Sequence, residues 1–392
     1  MINTMGPVTD SRHDDLLNNW DQIDKCISKI FDDSYRNRFL DSEGNHLVLN
    51  WFFISWSGFK TNPVKRDMGW HTVYDHYMQK FGREMQKFGD GAYWMYNHPP
   101  ASGIANEWGL DWLNNSHYFE ILNRYIIERN YFPPIIEAVP EKNDASNWIE
   151  NWFPFDFSNR NVDELDLDAK QEEGKKVSDV LDWRGAPTDW QHYNPAHEDY
   201  RLKGTMKRFV FRVLDIKTRL YQLSEKEIEK AFIRCMNGND TIIAAFEHDF
   251  RDKAEVIITN FIQPIVDMAK KYPDIKWFYG NAQYAAQEVC GYMNRDQLTF
   301  DVRILKDEVR DKYVLRIKSS KPLFGNMPYI ASKDSTTNEY DHHSVDNIGY
   351  CIWELDLNRL PNECIIAIAS SDTYGNVGLQ KYLLKDNNIS EF

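Results

Sequence analysis

The chain has 392 residues and a formal net charge of −14, from 46 Lys and Arg against 60 Asp and Glu. That length suits one large domain with a smaller one, and the acidic balance excludes nucleic acid or anionic lipid as partners of a general basic surface. Five scattered cysteines (Cys26, Cys235, Cys290, Cys351, Cys364) without Cys-x-x-Cys spacing exclude both a disulfide framework and a cysteine zinc site.

The first residues lack the apolar core of a signal peptide, and no apolar run reaches membrane-spanning length, so a cytoplasmic protein without a transmembrane segment is expected. Asp14 to Phe39 reads as a charged helical stretch with Leu16, Leu17, Trp20, Ile23, Ile27 and Ile30 on one stripe, and residues 1–44 are expected to be a helical extension. His46 to Trp56 is nearly continuous in apolar residues, as a strand buried on both faces would be. A helix over Trp70 to Phe88 carries His71 and His76. The next strand, Gly91 to Tyr96 with Trp94 inside it, delivers Asn97-His98-Pro99-Pro100, where the prolines end the strand and leave His98 at its carboxyl end.

A long loop with Glu107 and Trp108 leads to a helix over His117 to Arg129 and a strand over Pro134 to Val139 that contains Glu137. Asn147 to Phe157 is dense in aromatics, Trp148 among them, and Asn159 to Lys176 is a polar, acidic surface excursion. A strand over Val177 to Trp183 ends in Asp182-Trp183-Arg184-Gly185, and an irregular stretch with Trp190 follows. Helices are expected over Gly204 to Tyr221 and Ser224 to Cys235, the second opened by a capping box at Ser224 and Glu227.

The strongest local unit is Thr241 to Met268. An apolar β run ends in Glu247-His248-Asp249-Phe250-Arg251-Asp252, and a helix with apolar Val256, Ile257, Phe261, Ile262, Ile265 and Met268 comes next. In parallel α/β folds the carboxyl end of a strand is where ligands meet the chain, so the charged groups here look like a site, although Asp252 serves equally as a helix N-cap. A strand over Ile275 to Tyr279 and a helix over Ala282 to Met293 close this half. From Asp296 onward, short alternating runs separated by turn residues read as an antiparallel β domain.

Strand and helix alternate from His46 to Met293, which predicts a distorted (β/α) barrel of six or seven strands over residues 45–294, with a β-sandwich-like domain over 295–392. No Gly-rich phosphate loop follows the first strand, which argues against a nucleotide enzyme. A barrel gathers His98, Glu137, Asp182, Trp183, Arg184, His248, Asp249 and Arg251 at one rim. There, His98, His248 and Asp249 suit a shared divalent metal, or His248 suits a general acid oriented by Asp182. Arg184 and Arg251 suit capture of a carboxylate or an oxyanion. A ring of structural salt bridges has the same composition.

The pieces Trp94 to Pro100, Asn147 to Asn159, Asp182 to Trp190, Glu247 to Asp252 and Ser371 to Asn376, in this order, resemble the polysaccharide deacetylase family, in particular a divergent branch found with bacterial surface-polysaccharide genes. The resemblance implies a carbohydrate esterase on a distorted barrel, a zinc-like divalent metal held by one Asp and two His, an Asp base and a late His acid. By this likeness His248 matches the late histidine, His98 a metal histidine, and Asp182 the carboxylate that tunes the acid. The first long strand ends in Ile54-Ser55-Trp56-Ser57 where the family has an Asp pair, and Ser102 stands where a second His belongs. The metal set has therefore moved, with Glu107, Glu137 and Asp249 as candidates, or has been lost.

The expected function is removal of an N- or O-acyl group from a bacterial glycan or sugar precursor. In that reading His248, Asp182, Asp249 and Arg184 carry the chemistry, while Trp94, Asn97, Glu137, Trp148, Trp183, Trp190 and Arg251 hold the sugar. Two other readings remain open: glycoside cleavage by Glu137 with Asp182 or Asp249, and a degenerate barrel that binds sugar without turnover. The pattern is silent on whether the chain forms oligomers.

Overall fold

The structure, a computed structural model, describes residues 1–7, 16–56, 70–97, 117–139, 147–162, 183–216, 222–309 and 311–391. The chain divides into two compact units. The first comprises Met1–Leu110, Ile135–Asn143 and Phe155–Gly291, and the second Asp111–Pro134, Asp144–Pro154 and Tyr292–Phe392.

The first unit is a closed barrel of seven parallel strands. These are β1 (Ile2–Thr4), β2 (Asn50–Trp56), β3 (Gly91–Asn97), β4 (Ile135–Val139), β5 (Phe155–Asn159), β6 (Phe209–Asp215) and β7 (Ala244–His248). Each pairs with its sequence neighbour, and β1 closes the ring by pairing with both β2 and β7. Alternation sorts the side chains. In β2, Trp51 and Phe53 turn outward onto Tyr77 of the Trp70–Lys87 helix, with ring centroids 5.6 and 5.8 Å apart. Phe52 turns inward beside Asn3, its register partner on β1.

The amino-terminal end of the barrel is stoppered by the helix Ala282–Val289. Asn50 accepts from the Ala282 N–H at 2.7 Å and donates to the Gly280 carbonyl at 3.0 Å, while the Tyr93 hydroxyl donates to the Asn281 side chain at 2.6 Å. Gly91 permits this crowding, because a Cβ there would sit 2.4 Å from the Tyr93 ring and 2.7 Å from Asn50 Oδ1.

Three expectations are corrected. The stretch expected as helix over Gly204 to Tyr221 contains β6, whose Phe209, Phe211 and Val213 share one face with Asp215. Its apolar spacing satisfies helical and strand periods alike, and pairing to β5 and β7 decides the matter. Ile275 to Tyr279 forms no strand. Its backbone is tied to Ser42 and Asp41 instead, with Trp277 N–H on Ser42 Oγ at 2.9 Å and Tyr279 N–H on Asp41 at 3.2 Å. Residues 1–44 are not merely a helical extension, since they open with β1 before the Trp20–Ile30 helix. Of the strand expected over Val177 to Trp183, only Trp183 is among the described residues, and it is not in a strand.

The second unit is built on two antiparallel sheets. One runs β11 (Tyr340–His343), β10 (Tyr329–Asp334), β14 (Glu363–Ser371), β15 (Val377–Lys385), β16 (Asn388–Glu391). The other runs β12 (Asp346–Gly349), β13 (Ile352–Asp356), β9 (Lys312–Ser319), β8 (Phe300–Asp307). Leu315, Ile317, Ile330, Trp353, Leu355, Ile366 and Ile368 form one buried cluster that both sheets supply. The helix His117–Arg129 groups with this unit: the Tyr329 hydroxyl donates to Asn123 at 2.8 Å and Phe119 stacks on His342 at 4.4 Å. The division drawn at residue 294 therefore differs from the observed one, because a helix between two barrel strands finds its apolar partners far along the chain.

A buried ion pair ties the short helix Asp33–Arg36 to the loop before β3. Arg36 and Asp90 are both fully buried and meet through two hydrogen bonds of 2.9 and 2.7 Å. Arg36 also donates to the Ile30 and Leu47 carbonyls, and Asp90 accepts from Leu49 N–H and the Trp51 indole, so nearly every polar atom is used. Asp90→Ala leaves the guanidinium unpaired, and we expect it to lower unfolding stability in denaturant titrations by about 3–5 kcal/mol. A loss below about 1 kcal/mol would show that the pair is not a structural fixture.

Candidate functional site

Carboxyl ends of barrel strands bring Glu137, Arg160 and His248 toward Asn3. Glu137, near the end of β4, is fully buried, and its Oε1 accepts from Asn3 Nδ2 at 3.1 Å. Strands β1 and β4 are not neighbours, so this bond crosses the barrel interior. Arg160, the residue after β5, pairs with the same oxygen and lays its guanidinium 3.9 Å from the centre of the Phe246 ring. Burial pushes the Glu137 carboxyl above its ordinary pKa, with the Arg160 charge pulling the other way. Three buried polar atoms of this group have no hydrogen-bond partner among the described residues: Asn3 Oδ1, Glu137 Oε2 and Arg160 Nη1.

His248 ends β7 in register with Asn3, so both side chains face the same side of the sheet. Its ring lies between Phe246 and Phe250, with centroids at 5.4 and 4.8 Å. Burial lowers its pKa to about 3, and the positive charges of Arg160, Arg251 and Lys253 push in the same direction. The imidazole is thereby held neutral at physiological pH.

Its sequence neighbours face outward. Asp249, almost fully buried, accepts from Met5 N–H at 2.8 Å, Gly6 N–H at 3.0 Å and the Tyr77 hydroxyl at 2.8 Å. Both carboxylate oxygens are thereby spent on holding the turn after β1 and the Trp70–Lys87 helix. The catalytic and metal-ligand roles expected of Asp249 are replaced by a structural one. Glu247 points into a small pocket with Ile2, Cys26, Ile27, Ile30, Lys253 and Ile257. The Lys253 ammonium is 3.9 Å away, and the Oε1 atom has no hydrogen-bond partner.

Among the described residues, the tryptophan candidates and Arg184 do not converge on His248. Trp94 is fully buried and its indole donates to Ser55 at 3.0 Å. Trp183 packs edge-on against Tyr200 in a small cluster with Ala186, Tyr193 and Val210. Trp190 donates to the Glu227 carbonyl at 2.7 Å beneath the guanidinium of Arg212. Trp148, 6% exposed, contacts Tyr118 and Phe153 within the second unit. These four indoles are core groups rather than exposed sugar platforms. Arg184 is on the surface, and Arg251 lies over the ring of Phe250 at 5.0 Å. Asn97 ends β3. Its side chain, along with His98, Asp182 and Glu107, lies outside the described residues.

Sequence reasoning missed Asn3 and Arg160. A three-residue strand is too short to show a period, so Asn3 had no signal. Arg160 follows Phe155-Asp156-Phe157-Ser158-Asn159, an alternating run whose last residues sit where a strand-end site belongs.

A divalent metal does not fit the described part of the site. Asp249 is saturated, Glu137 is paired with a guanidinium, and the field of three cations acts on His248. Among the described residues, no three His, Cys, Asp or Glu side chains are placed together as ligands. No described helix is long and apolar enough to cross a membrane.

No family model and no curated protein matches the chain. Among solved structures it is similar to wild-type OgpA from Akkermansia muciniphila, with 11% identity over 88% of this chain and 94% of that one. The TM-score is 0.19, too low to inform either fold or function.

Burial, with Asp215 adding repulsion, raises the Glu247 carboxyl to about 7. Its folded pKa is above its unfolded one, so the stability it contributes is full below about pH 4.5 and is lost as pH rises through about 7. Asp249, raised to about 6 by burial, adds a dependence of the same sign but is common to wild type and variant. Relative to Glu247→Gln, the wild type is expected to lose on the order of 2 kcal/mol between pH 5 and pH 8 in denaturant titrations. Parallel pH profiles for the two proteins would contradict the raised value.

Proposed function

We propose that this protein is a hydrolase that removes an acyl group from a glycan or sugar precursor, in keeping with its resemblance to polysaccharide deacetylases. The observation that supports this most is the buried guanidinium of Arg160 lying on Phe246, two residues before His248 and on the same inner side of the barrel. Acyl hydrolysis needs a base to deprotonate water and fixed positive charge for the oxyanion that forms on the acyl carbonyl. His248 meets the first need and the buried guanidinium of Arg160 meets the second. Glu137 holds Arg160 in place through their shared ion pair.

Glycoside cleavage by Glu137 and Asp249 has less support. The Asp249 carboxylate faces the Trp70–Lys87 helix, and its oxygens are occupied by protein donors.

Release of acetate from N-acetylated and O-acetylated amino sugars by the purified full chain tests the proposal. His248→Ala is expected to lower kcat/KM by roughly 10²–10⁴-fold. Because burial sets His248 at about 3, activity should persist from neutral pH down to about pH 4 and fall only where the imidazole gains its proton. Turnover that survives His248→Ala, or an acid limb centred near 6.5, would remove His248 from the mechanism.

A further inference from the structure

We propose that Asn3, Glu137 and Arg160 form a binding site for a single buried water molecule, and that this water is the nucleophile delivered to the acyl carbon. The second half of the proposal rests on the hydrolase reading; the first stands on geometry alone. Asn3 and Glu137 are fully buried and Arg160 is 3% exposed. Each unpartnered atom, Asn3 Oδ1, Glu137 Oε2 and Arg160 Nη1, belongs to a group whose other end already meets at Glu137 Oε1. The three atoms therefore belong to one hydrogen-bonded group inside the barrel.

Their chemistry selects the occupant. Two are acceptors and one is a donor, and a water molecule answers with two O–H donors and a lone pair, the three bonds a buried water typically makes. A metal ion is disfavoured because one of the three groups is a guanidinium. Each buried polar atom left unbonded costs about 1–3 kcal/mol, so three together are a large burden for a fold unless something bonds to them. The Asn3 amide comes from a strand of only three residues, held in place by the β2 and β7 pairings and by the Asp249 carboxylate just beyond it.

The position also fits delivery. Asn3 and His248 are register partners facing the same side, and Arg160 lies on Phe246, two residues before His248. A neutral His248 nitrogen takes one proton from the water as the water oxygen bonds to the acyl carbon. The carbonyl π pair moves onto the carbonyl oxygen. When that pair returns, the bond to the sugar nitrogen or oxygen breaks, and the departing atom takes the proton from the imidazolium, which leaves a free carboxylic acid. Asn3 and Glu137 act as positioning residues that fix the water and touch no substrate atom, while Arg160 holds the water and also supplies positive charge to the oxyanion.

An atomic-resolution crystal structure of the full chain tests the site without reference to activity. One solvent peak within about 3.2 Å of all three atoms is expected. A side chain in that place, or no peak, overturns the site. Crystals soaked with N-acetylglucosamine separate water from a sugar subsite, because a sugar hydroxyl on the same three atoms overturns the nucleophile. Asn3→Leu keeps the volume and removes the acceptor, and it is expected to lower kcat by about 10²-fold with KM unchanged, while Asn3→Asp, which keeps an acceptor, recovers part of the loss. An unchanged kcat in a folded Asn3→Leu protein overturns the nucleophile role. If the wild type turns over no acylated sugar, the hydrolase reading fails while the solvent peak still decides the site. If Asn3→Leu does not fold, the wild-type peak and the soaked crystals decide it.

Discussion

The barrel closes on a strand of three residues, and one buried carboxylate keeps that strand in place. Asp249 takes the N–H groups of Met5 and Gly6 and the hydroxyl of Tyr77, so the turn after β1, the end of β7 and the Trp70–Lys87 helix share a single acceptor. A ring of parallel strands leaves no unpaired edge only if its last gap is filled. Six hydrogen-bonded strands would be an open sheet with exposed edges at β2 and β7. Ile2–Thr4 removes both edges, and in doing so sets Asn3 inside the barrel opposite Glu137.

That closure explains the electrostatics of the interior. Glu137, Arg160 and Asn3 form a neutral but polar knot where barrels usually hold branched apolar side chains. Its guanidinium lies on an aromatic face, which substitutes in part for lost water. Burial above all, and then the same positive charge with those of Arg251 and Lys253, keeps the neighbouring imidazole neutral. The carboxylate that makes Arg160 tolerable in the interior therefore also holds in place one of the charges that act on His248.

Composition misleads about the tryptophans in an instructive way. Indoles next to loops suggested platforms for sugar rings, yet Trp94, Trp183 and Trp190 are each buried and Trp94 and Trp190 each donate to a protein acceptor. Trp190 even adopts a left-handed backbone with φ of 61°, a strained conformation kept because its ring covers Arg212 and its N–H caps a carbonyl of the Glu225–Met236 helix. Trp183 and Trp190 hold the connection before β6, the first against Val210 of β6 and the second against the Glu225–Met236 helix.

What the sequence by itself determined is set by local periodicity. The runs that became β2, β3, β4 and β7, the His117–Arg129 helix, the Ser224 cap and the antiparallel second unit all carry a period or a cap within a dozen residues, and the placement of His248 at a strand's carboxyl end follows from them. Tertiary structure alone decided the rest. Whether Phe209–Asp215 is helix or strand depended on neighbours to pair with, and whether Asp249 or Glu137 carries a reactive or a structural carboxylate depended on which donors closed around it. Nothing near Ile2–Thr4 in the chain marks a strand, since its partners lie about 50 and 245 residues away. Alternation along a strand then separated His248 from Asp249, one residue apart, onto opposite faces of the barrel wall, a division that a list of charged residues at a strand end does not contain.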